Sequence, residues 1–440
     1  MQAWFEQLAD AVSSQLQGGE GFTLWFSGER SDFVRFNHGQ IRQAGQVFQL
    51  YLTLQLIQGQ KQAAHSFSMQ GELAHDREVL LAGLHTLRGL LPQLQDDPHL
   101  MLADTRQDSC RIEPSRLPDA TQIAADIAVT AAGTDLVGIL AVGPVYYAFA
   151  NHLGQRNWQE TTSFNFDWSL HACGDKAVKR GQAGFEWDAA AFAADLHAAG
   201  QQLILLSRPA RTLQPGAYRA YLAPAAVGEL FTLFNWEALS AQSIHSKRSA
   251  LLKLVEGERQ FSPLVSLSEN TAAGLAPDFQ GEGFRKPKRL CLIEHGQFVH
   301  ALVSPRSARE FGLASNGADG SESANSFDMA AGQLAQQDVL RQLDTGLYLN
   351  NLWYLNYSDR SHCRITGMTR FACFWVEQGE LVAPLNVMRF DDSLYRMLGD
   401  QLEALTIERE WLVDPMSYDS RSSSSMRLPG ALLSSLQLVL

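Results

Sequence analysis

Residues 345–388 read TGLYLNNLWYLNYSDRSHCRITGMTRFACFWVEQGELVAPLNVM, and this stretch decides the fold of the second half of the chain. Its three apolar and aromatic runs are 347–357, 370–376 and 381–388. Runs of this length, rich in Tyr, Trp, Phe and Val and bounded by Gly, Asp and Ser, are typical of β-strands. The stretch therefore predicts three strands, joined by a long polar crossing at 358–364 and a turn at 377–380.

The polar crossing at 358–364 is the first candidate for function, because crossings between buried strands often carry ligand contacts. Its charged side chains, with one just beyond it, are Asp359, Arg360, His362, Arg364 and Arg370. Guanidinium groups near a sheet can hold a peptide carboxylate through two hydrogen bonds. They can equally pair within the chain, with Asp359 and Glu377. Both interpretations stay open at this point.

The rest of the chain predicts an α+β fold class. In the first half, helical spacings alternate with strand-like runs, which indicates an N-terminal α/β domain of mixed sheet with long helices. The dipeptides Gly28-Glu29 and His38-Gly39 stand where hairpin turns are needed. A shift to Arg and Pro at 206–216 indicates a linker. The predicted domains are 1–210 and 211–440, the second dominated by antiparallel β-sheet and containing a helix at 225–239.

Composition narrows the class of protein. The net charge of −12 argues against a nucleic-acid-binding surface, which needs clustered Lys and Arg. No apolar stretch approaches the ~20 residues of a membrane span, and the N-terminus lacks the features of a signal peptide. The five cysteines never form a C-x-x-C pair, which favours reduced thiols in the cytoplasm. They are Cys110, Cys173, Cys291, Cys363 and Cys373.

Several short motifs, taken in order, resemble the TldD/PmbA family over nearly the whole chain. The segment 30–39 (RSDFVRFNHG) is similar to a family strand pair, and 149–154 (FANHLG) to a family strand end. In the second half, 265–270 (VSLSEN), 299–309 and 368–387 resemble the family's closing motifs. The resemblance implies an α/β N-terminal domain followed by a domain of antiparallel sheet. The sequence departs from the family pattern at Asn350-Asn351 and at 358–364.

The family has two branches, TldD and TldE (also called PmbA), which pair as subunits of a metalloprotease. The resemblance implies that TldD-type subunits bind zinc through a helical H-E-x-x-x-H motif and a cysteine near the C-terminus. The partner subunit lacks that motif and helps to shape the chamber. The pair trims unfolded or extended peptides.

The helix at 225–239 (AAVGELFTLFNWEAL) stands where the zinc motif belongs. Thr232, Leu233 and Glu237 occupy the positions of the first His, the Glu and the second His. A catalytic zinc needs about three protein ligands and a general base, and these residues do not supply them. The region 415–427 contains Met416 and several serines but no cysteine. We therefore expect no metal in this chain and an apolar helix face packed on the sheet.

Other catalytic constellations are weaker. His362 and Cys363 are adjacent, so they point to opposite faces of a strand unless the segment is a tight turn; a plain buried thiol is the favoured interpretation. His245 is expected at the surface, and the serines at 420–425 have no base at a defined spacing. Glu269 and Asn270 end a strand, where they either contact a ligand or form an Asx-type turn.

The leading hypothesis is a TldE/PmbA-like, non-catalytic subunit of a cytoplasmic metallopeptidase. It would bind an extended peptide by strand addition, with zinc supplied only by a TldD-type partner; a homodimer is the alternative assembly. The candidate groove residues are Glu269, Asn270, Asp359, Arg364 and Arg370. Alternatives are a self-sufficient peptidase with an unconventional site around Glu237, His245 or the segment 358–370, and a peptide-binding scaffold without proteolysis. Polar side chains converging in a closed pocket would favour the peptidase, and an open groove with unpaired strand edges would favour the binder.

Overall fold

The computed structural model describes residues 1–172, 176–415, 417 and 419–439. Cys173 and Met416, both considered above, lie outside the described residues. The chain forms two sheets with helices packed on them, so the predicted α+β class is confirmed. No helix in the described part of the chain is long and apolar enough to cross a membrane.

The first sheet is built from the N-terminal half. Its strand order is β3-β2-β1-β5-β6-β4, with β7 also paired to β6. Neighbours are antiparallel except β4 and β6, which are parallel. The strands are β1 (Glu20–Asn37), β2 (Gln40–Gln58), β3 (Lys61–Met69), β4 (Ser109–Ile112), β5 (Leu136–Asn151), β6 (Arg156–His171) and β7 (Ala177–Gly184).

Four helices cover one face of this sheet: α1 (Gln2–Ser14), α2 (Leu73–Leu90), α3 (Ala120–Thr130) and α4 (Ala189–Leu206). The first two pack on one end of the face, over Phe22, Phe26 and Leu52. The other two pack on the opposite end, over Phe166 and Trp168. Because side chains alternate along a strand, the residues between these apolar positions point to the opposite face of the sheet.

That other face is polar, yet it is buried. Asn157, Gln159, Thr161 and Ser163, at alternate positions of β6, are each at most 3% exposed. The second half of the chain covers them: for example, Gln159 Nε2 donates to the carbonyl of Leu275 at 2.8 Å. The two halves therefore meet through hydrogen bonds on a buried polar surface.

The second sheet has the order β11-β10-β9-β12-β18-β16-β14-β13-β8, with β15 on β14 and β17 on β18. Most neighbours are antiparallel; β12–β18 and β13–β8 are parallel. Since β8 also pairs with β18, part of the sheet closes on itself. The strands are β8 (Gly216–Leu222), β9 (Leu267–Glu269), β10 (Leu290–Glu294), β11 (Gln297–Phe298), β12 (Ser326–Met329), β13 (Gly346–Asp359), β14 (Arg364–Glu377), β15 (Glu380–Pro384), β16 (Arg389–Ser393), β17 (Leu402–Val413) and β18 (Ser425–Leu438).

Short helices accompany this sheet: α5 (Pro224–Thr232), α6 (Ala241–His245), α7 (Leu252–Val255), α8 (Pro305–Phe311) and α9 (Val339–Leu343). Pro224 stands in the first turn of α5, where its missing N–H costs no helical hydrogen bond. The expectation of one helix over 225–239 is wrong. The helix ends at Thr232 and is followed by a single 3₁₀ turn, Leu233–Asn235.

The stretch 345–388 forms β13, β14 and β15, as its apolar runs predict. The expected long polar crossing is wrong, because β13 and β14 pair directly up to Asp359 and Arg364. Only the 3₁₀ turn Arg360–His362 and Cys363 lie between them. The segment is a hairpin tip rather than a loop with room for a ligand.

Candidate functional site

A cavity of about 920 Å³ opens between the two halves of the chain. Strands β6 and β7 and helix α4 line it from the N-terminal half; α5, β13 and β17 line it from the second half. Its volume lies in the upper part of the ~300–1,000 Å³ range of ligand sites. Gly228 lets α5 approach β17, since a Cβ there would meet Leu412 Cδ1 at 2.8 Å.

Two strand edges face this cavity from different sheets. Within the described residues, β7 pairs only with β6, and residues 410–413 of β17 pair only with β18. Nearer its start, β17 also forms a parallel bridge, between Thr406 and Leu334. Residues 179–183 of β7 and 410–413 of β17 line the cavity. An edge strand presents backbone N–H and C=O groups that an extended chain can pair with. Backbone groups of both strands therefore border the cavity.

Arg180 ties β7 to the surrounding elements across the cavity wall. Its Nη1 donates to Asn350 Oδ1 at 2.6 Å, its Nη2 to Gln202 Oε1 at 2.7 Å and its Nε to Asp195 at 3.2 Å. Asn350 also donates to the carbonyl of Lys179 at 3.1 Å. Because its donors are engaged within the chain, Arg180 holds the wall in shape.

Three carboxylates give the cavity an acidic character. Burial raises the pKa of Glu229. Burial also raises the pKa of Asp195, and Arg180 acts in the opposite direction. Glu410, which is exposed, adds a third carboxylate to the lining. The lysine on the wall, Lys179, is paired with Asp167. The carboxylates therefore outweigh the cations, and a positively charged ligand group would be stabilised here.

The three positions of the expected zinc motif do not converge. Thr232 lines the cavity and donates to the carbonyl of Gly228 at 3.1 Å. Leu233 is 1% exposed and belongs to the apolar core. Glu237 lies beyond the helix with a φ of 67° and pairs with Arg360 at 3.7 Å. These residues do not fit a zinc site, which needs about three ligands around one point.

Among the described residues, no group of three or more His, Cys, Asp or Glu side chains is placed to hold a metal ion. The predicted third-ligand region, 415–427, borders the cavity through Pro415, Ser424 and Met426. Met416 in this region lies outside the described residues.

Glu269 and Asn270 lie together at the end of β9, away from this cavity. Glu269 is 3% exposed and accepts the backbone N–H groups of Asn325 at 3.1 Å and Ser326 at 3.0 Å. Asn270 donates to Asp328 at 2.7 Å, and its carbonyl accepts the N–H of Gly274 at 3.0 Å. Both side chains are therefore engaged within the chain, and the contacts of Asn270 differ from those of an Asx-type turn, in which its side-chain oxygen would accept a backbone N–H.

Asp359 and Arg364 face each other at the base of the β13–β14 tip. Hydrogen bonds from Ser361 and His362 lower the pKa of Asp359 to about 2. Arg364 pairs with Asp391, and Arg370 lies over the ring of Trp353 at 4.9 Å. None of the five groove candidates lines the large cavity, and their role in peptide binding stays a prediction.

The remaining candidates are not arranged for catalysis. Cys363 is fully buried, and burial raises its pKa far above the ordinary range. Its neighbour His362 points outward and pairs with Asp359 at 2.7 Å. His245 stacks on Phe311 with ring centres 4.8 Å apart. In the serine segment, Ser424 reaches the cavity.

Sequence reasoning missed the residues that define the cavity: Arg180, Asp195, Glu229 and Glu410. Two signals could have revealed part of it. The apolar stripe of α5 leaves Gly228, Glu229 and Thr232 on the opposite side. Asn350 interrupts an otherwise apolar strand and is 4% exposed, which requires a buried polar partner.

Comparisons with known proteins identify relatives. The sequence profile of the PmbA/TldA metallopeptidase C-terminal domain matches residues 215–439. TldE from Thermococcus kodakarensis has a similar structure, with a TM-score of 0.79 and 14% identity, covering 99% of this chain and 100% of that one. A search of curated proteins gave no match.

Two further solved structures share the fold. One is described as a candidate modulator of a DNA gyrase from Thermotoga maritima, with a TM-score of 0.75, 14% identity and coverage of 99% and 100% of the two chains. The other, from Bacteroides thetaiotaomicron, carries the same kind of description, with a TM-score of 0.75, 15% identity and coverage of 99% and 98%. At these identities the likeness concerns the fold alone.

Proposed function

Because this chain belongs to the TldD/PmbA family, a metallopeptidase family, we propose that it is a TldE-like, non-catalytic subunit of a cytoplasmic peptidase. Its large cavity holds an extended peptide that pairs with one of the two strand edges, that of β7 or that of β17. Zinc and the general base come from a TldD-type partner subunit. A homodimer of this chain is the alternative assembly.

The observation that carries the proposal is the pair of strand edges on one cavity. Strand addition draws affinity from backbone hydrogen bonds and therefore accepts many sequences, as a peptide-trimming enzyme requires. The positions of Thr232, Leu233 and Glu237 support a role in binding rather than in metal catalysis. The carboxylates that line the cavity support peptides with basic groups.

The first experiment measures bound zinc and peptidase activity for the purified chain, alone and mixed with a TldD-type subunit. We expect zinc far below one equivalent in the isolated chain and activity only in the mixture. Stoichiometric zinc together with activity of the isolated chain would refute the proposal and favour a self-sufficient peptidase.

A second experiment tests strand addition itself. An extended peptide is N-methylated at every second residue, in one register or in the other. Because alternate residues of a strand present their N–H groups to opposite edges, one register should lose binding and the other should keep it. Equal binding of both methylated peptides would exclude the strand-addition mode.

A further inference from the structure

A second cavity, of about 410 Å³, lies on the buried polar face of the N-terminal sheet and shares no lining residue with the larger one. Strands β1, β2 and β5 form its floor. The loops at 276–286 and 319–325 of the second half cover it. The proposed peptidase role makes no use of this cavity.

Three aromatic side chains form part of its wall: Trp25, Tyr147 and Phe279. The ring of Trp25 lies 5.8 Å from that of Phe279, edge to face, and 6.0 Å from that of Tyr147. Aromatic faces carry partial negative charge and attract cations, most strongly in the case of Trp. The wall therefore suits an ammonium group better than an anion.

The charged side chains agree with this preference. Lys286 is the cation on the wall; its Nζ lies 3.9 Å from Asp319, and its charge also stabilises the ionised form of Glu269. Its charge is thus already offset by two carboxylates. Glu282 has no ion pair among the described residues; burial and the nearby Asp319 raise the pKa of its carboxyl, and the Gln280 side chain acts in the opposite direction. A carboxylate on the wall is left without a cation.

A buried donor provides a second contact. Gln280 is 2% exposed, and its Oε1 accepts the backbone N–H of Glu282. Its Nε2 has no partner of hydrogen-bond geometry in the described part of the chain. Since an unpaired buried donor is costly, a ligand acceptor at this point would be favourable.

The cavity is formed in advance by a well-connected loop. Phe279 and Arg285 pair as a bridge, and the N–H of Lys286 donates to Asp278 at 2.7 Å. The carbonyl of Glu282 accepts the N–H of Ala103 at 2.9 Å, which fixes the loop to the N-terminal half. A ligand would therefore meet a rigid site, with little ordering entropy to lose.

We propose that this cavity binds an organic ammonium group that carries a carbonyl one or two atoms away, the chemistry shared by a peptide N-terminus and a free amino-acid amide. The ammonium lies against the aromatic wall beside Glu282. The carbonyl accepts from Nε2 of Gln280.

The test is calorimetric titration of the full chain at pH 7 with L-alaninamide, ethylammonium, N-acetyl-L-alaninamide and trialanine. We expect saturable binding of alaninamide, weaker binding of ethylammonium, which lacks the carbonyl, and none of the acetylated amide, which lacks the charge. Trialanine distinguishes the sources: binding as tight as that of alaninamide assigns a peptide N-terminus, and weaker binding assigns a small amide. Binding of the acetylated amide as tight as that of alaninamide would overturn the proposal.

Variants locate the site. Glu282→Gln keeps the shape and removes the charge, so alaninamide binding should weaken about tenfold or more. Gln280→Glu keeps the acceptor for the N–H of Glu282 and removes the donor, so the advantage of alaninamide over ethylammonium should disappear. Glu310→Gln, at an exposed carboxylate elsewhere, is the matched control and should change nothing. If Glu282→Gln and Glu310→Gln changed alaninamide binding equally, or if alaninamide did not bind saturably, the site would be refuted. Melting curves serve as the control that each variant is folded.

Discussion

The substitution Arg421→Met is expected to be strongly destabilising, because Arg421 connects the C-terminal segment to the buried polar face of the first sheet. Its side chain is 7% exposed. The guanidinium donates to the carbonyls of Gly143 at 2.8 Å and Ser163 at 2.9 Å, and to the hydroxyl of Ser163 at 2.8 Å. Its backbone N–H donates to Glu29 at 3.2 Å.

The magnitude follows from what the substitution leaves behind. Methionine retains the apolar stem but supplies no donors, so the buried acceptors lose a charged partner and Glu29, 2% exposed, loses a compensating charge. Removing one partner of a buried charged arrangement costs about 3–5 kcal/mol. Burial lowers the pKa of Arg421 to about 10. The group is therefore protonated in both folded and unfolded chains near neutral pH, and the loss should not vary with pH there.

The assay is urea unfolding followed by two probes, because a chain with two separate sheets need not unfold in one step. Arg427→Met, at an exposed arginine of β18, is the control and should stay within about 0.5 kcal/mol of the unmodified chain. Glu29→Gln combined with Arg421→Met measures the coupling, which should reach about 1 kcal/mol or more. An Arg421→Met variant within about 1 kcal/mol of the unmodified chain would refute this reasoning.

Three further outcomes are expected. Burial raises the pKa of Glu229 above its ordinary 4.5, so the folded chain binds this proton more tightly than the unfolded chain does. Stability, measured as the melting temperature, should therefore fall as the pH rises through the raised pKa. Glu229→Gln should flatten this fall, and an unchanged pH profile would contradict the reasoning. Glu237 and Arg360 are both about half exposed, so Glu237→Ala should change the free energy of unfolding by less than about 1 kcal/mol. The variant should also leave the peptidase activity of the mixed subunits unchanged. A large loss of activity would show that Glu237 has a functional role. Cys110 is exposed and Cys363 buried, so iodoacetamide followed by mass spectrometry should label Cys110 first, whereas early labelling of Cys363 would show that the β13–β14 tip opens.

The sequence predicts a turn or a strand correctly where a single local feature of the sequence determines it. At the β1–β2 turn, His38 and Gly39 have φ values of 51° and 68°, the pair of positive φ angles that a two-residue hairpin needs. Gly28-Glu29 also contains a glycine, but the prediction of a turn there is wrong. Gly28 lies inside β1, paired with Leu50 on one side and Tyr146 on the other. Its lack of a side chain serves packing, since a Cβ would meet Leu50 Cδ2 at 2.8 Å.

The helix predicted over 225–239 was too long for a related reason. Leu233, Phe234, Ala238 and Leu239 are each at most 1% exposed, so the apolar pattern continues past Thr232. A periodic pattern reports burial, and a 3₁₀ turn packed in the core satisfies it as well as an α-helix does. The error matters for function because it placed Glu237 on the same helix as Thr232, whereas the chain turns away between them.

Neither cavity could be predicted from local sequence, for a reason that lies in the first sheet. Alternating polar residues such as Thr161 and Ser163 ordinarily indicate a face in contact with water, but here they are buried under the second half of the chain. Alternation cannot distinguish water from a polar protein surface. A buried polar surface also packs differently from an apolar core, because each polar group needs a hydrogen-bond partner at a fixed distance. Where a polar group has no such partner, as at Gln280 Nε2, a cavity remains between the two surfaces. The same polar contact that joins the two halves therefore leaves the second cavity open to a ligand.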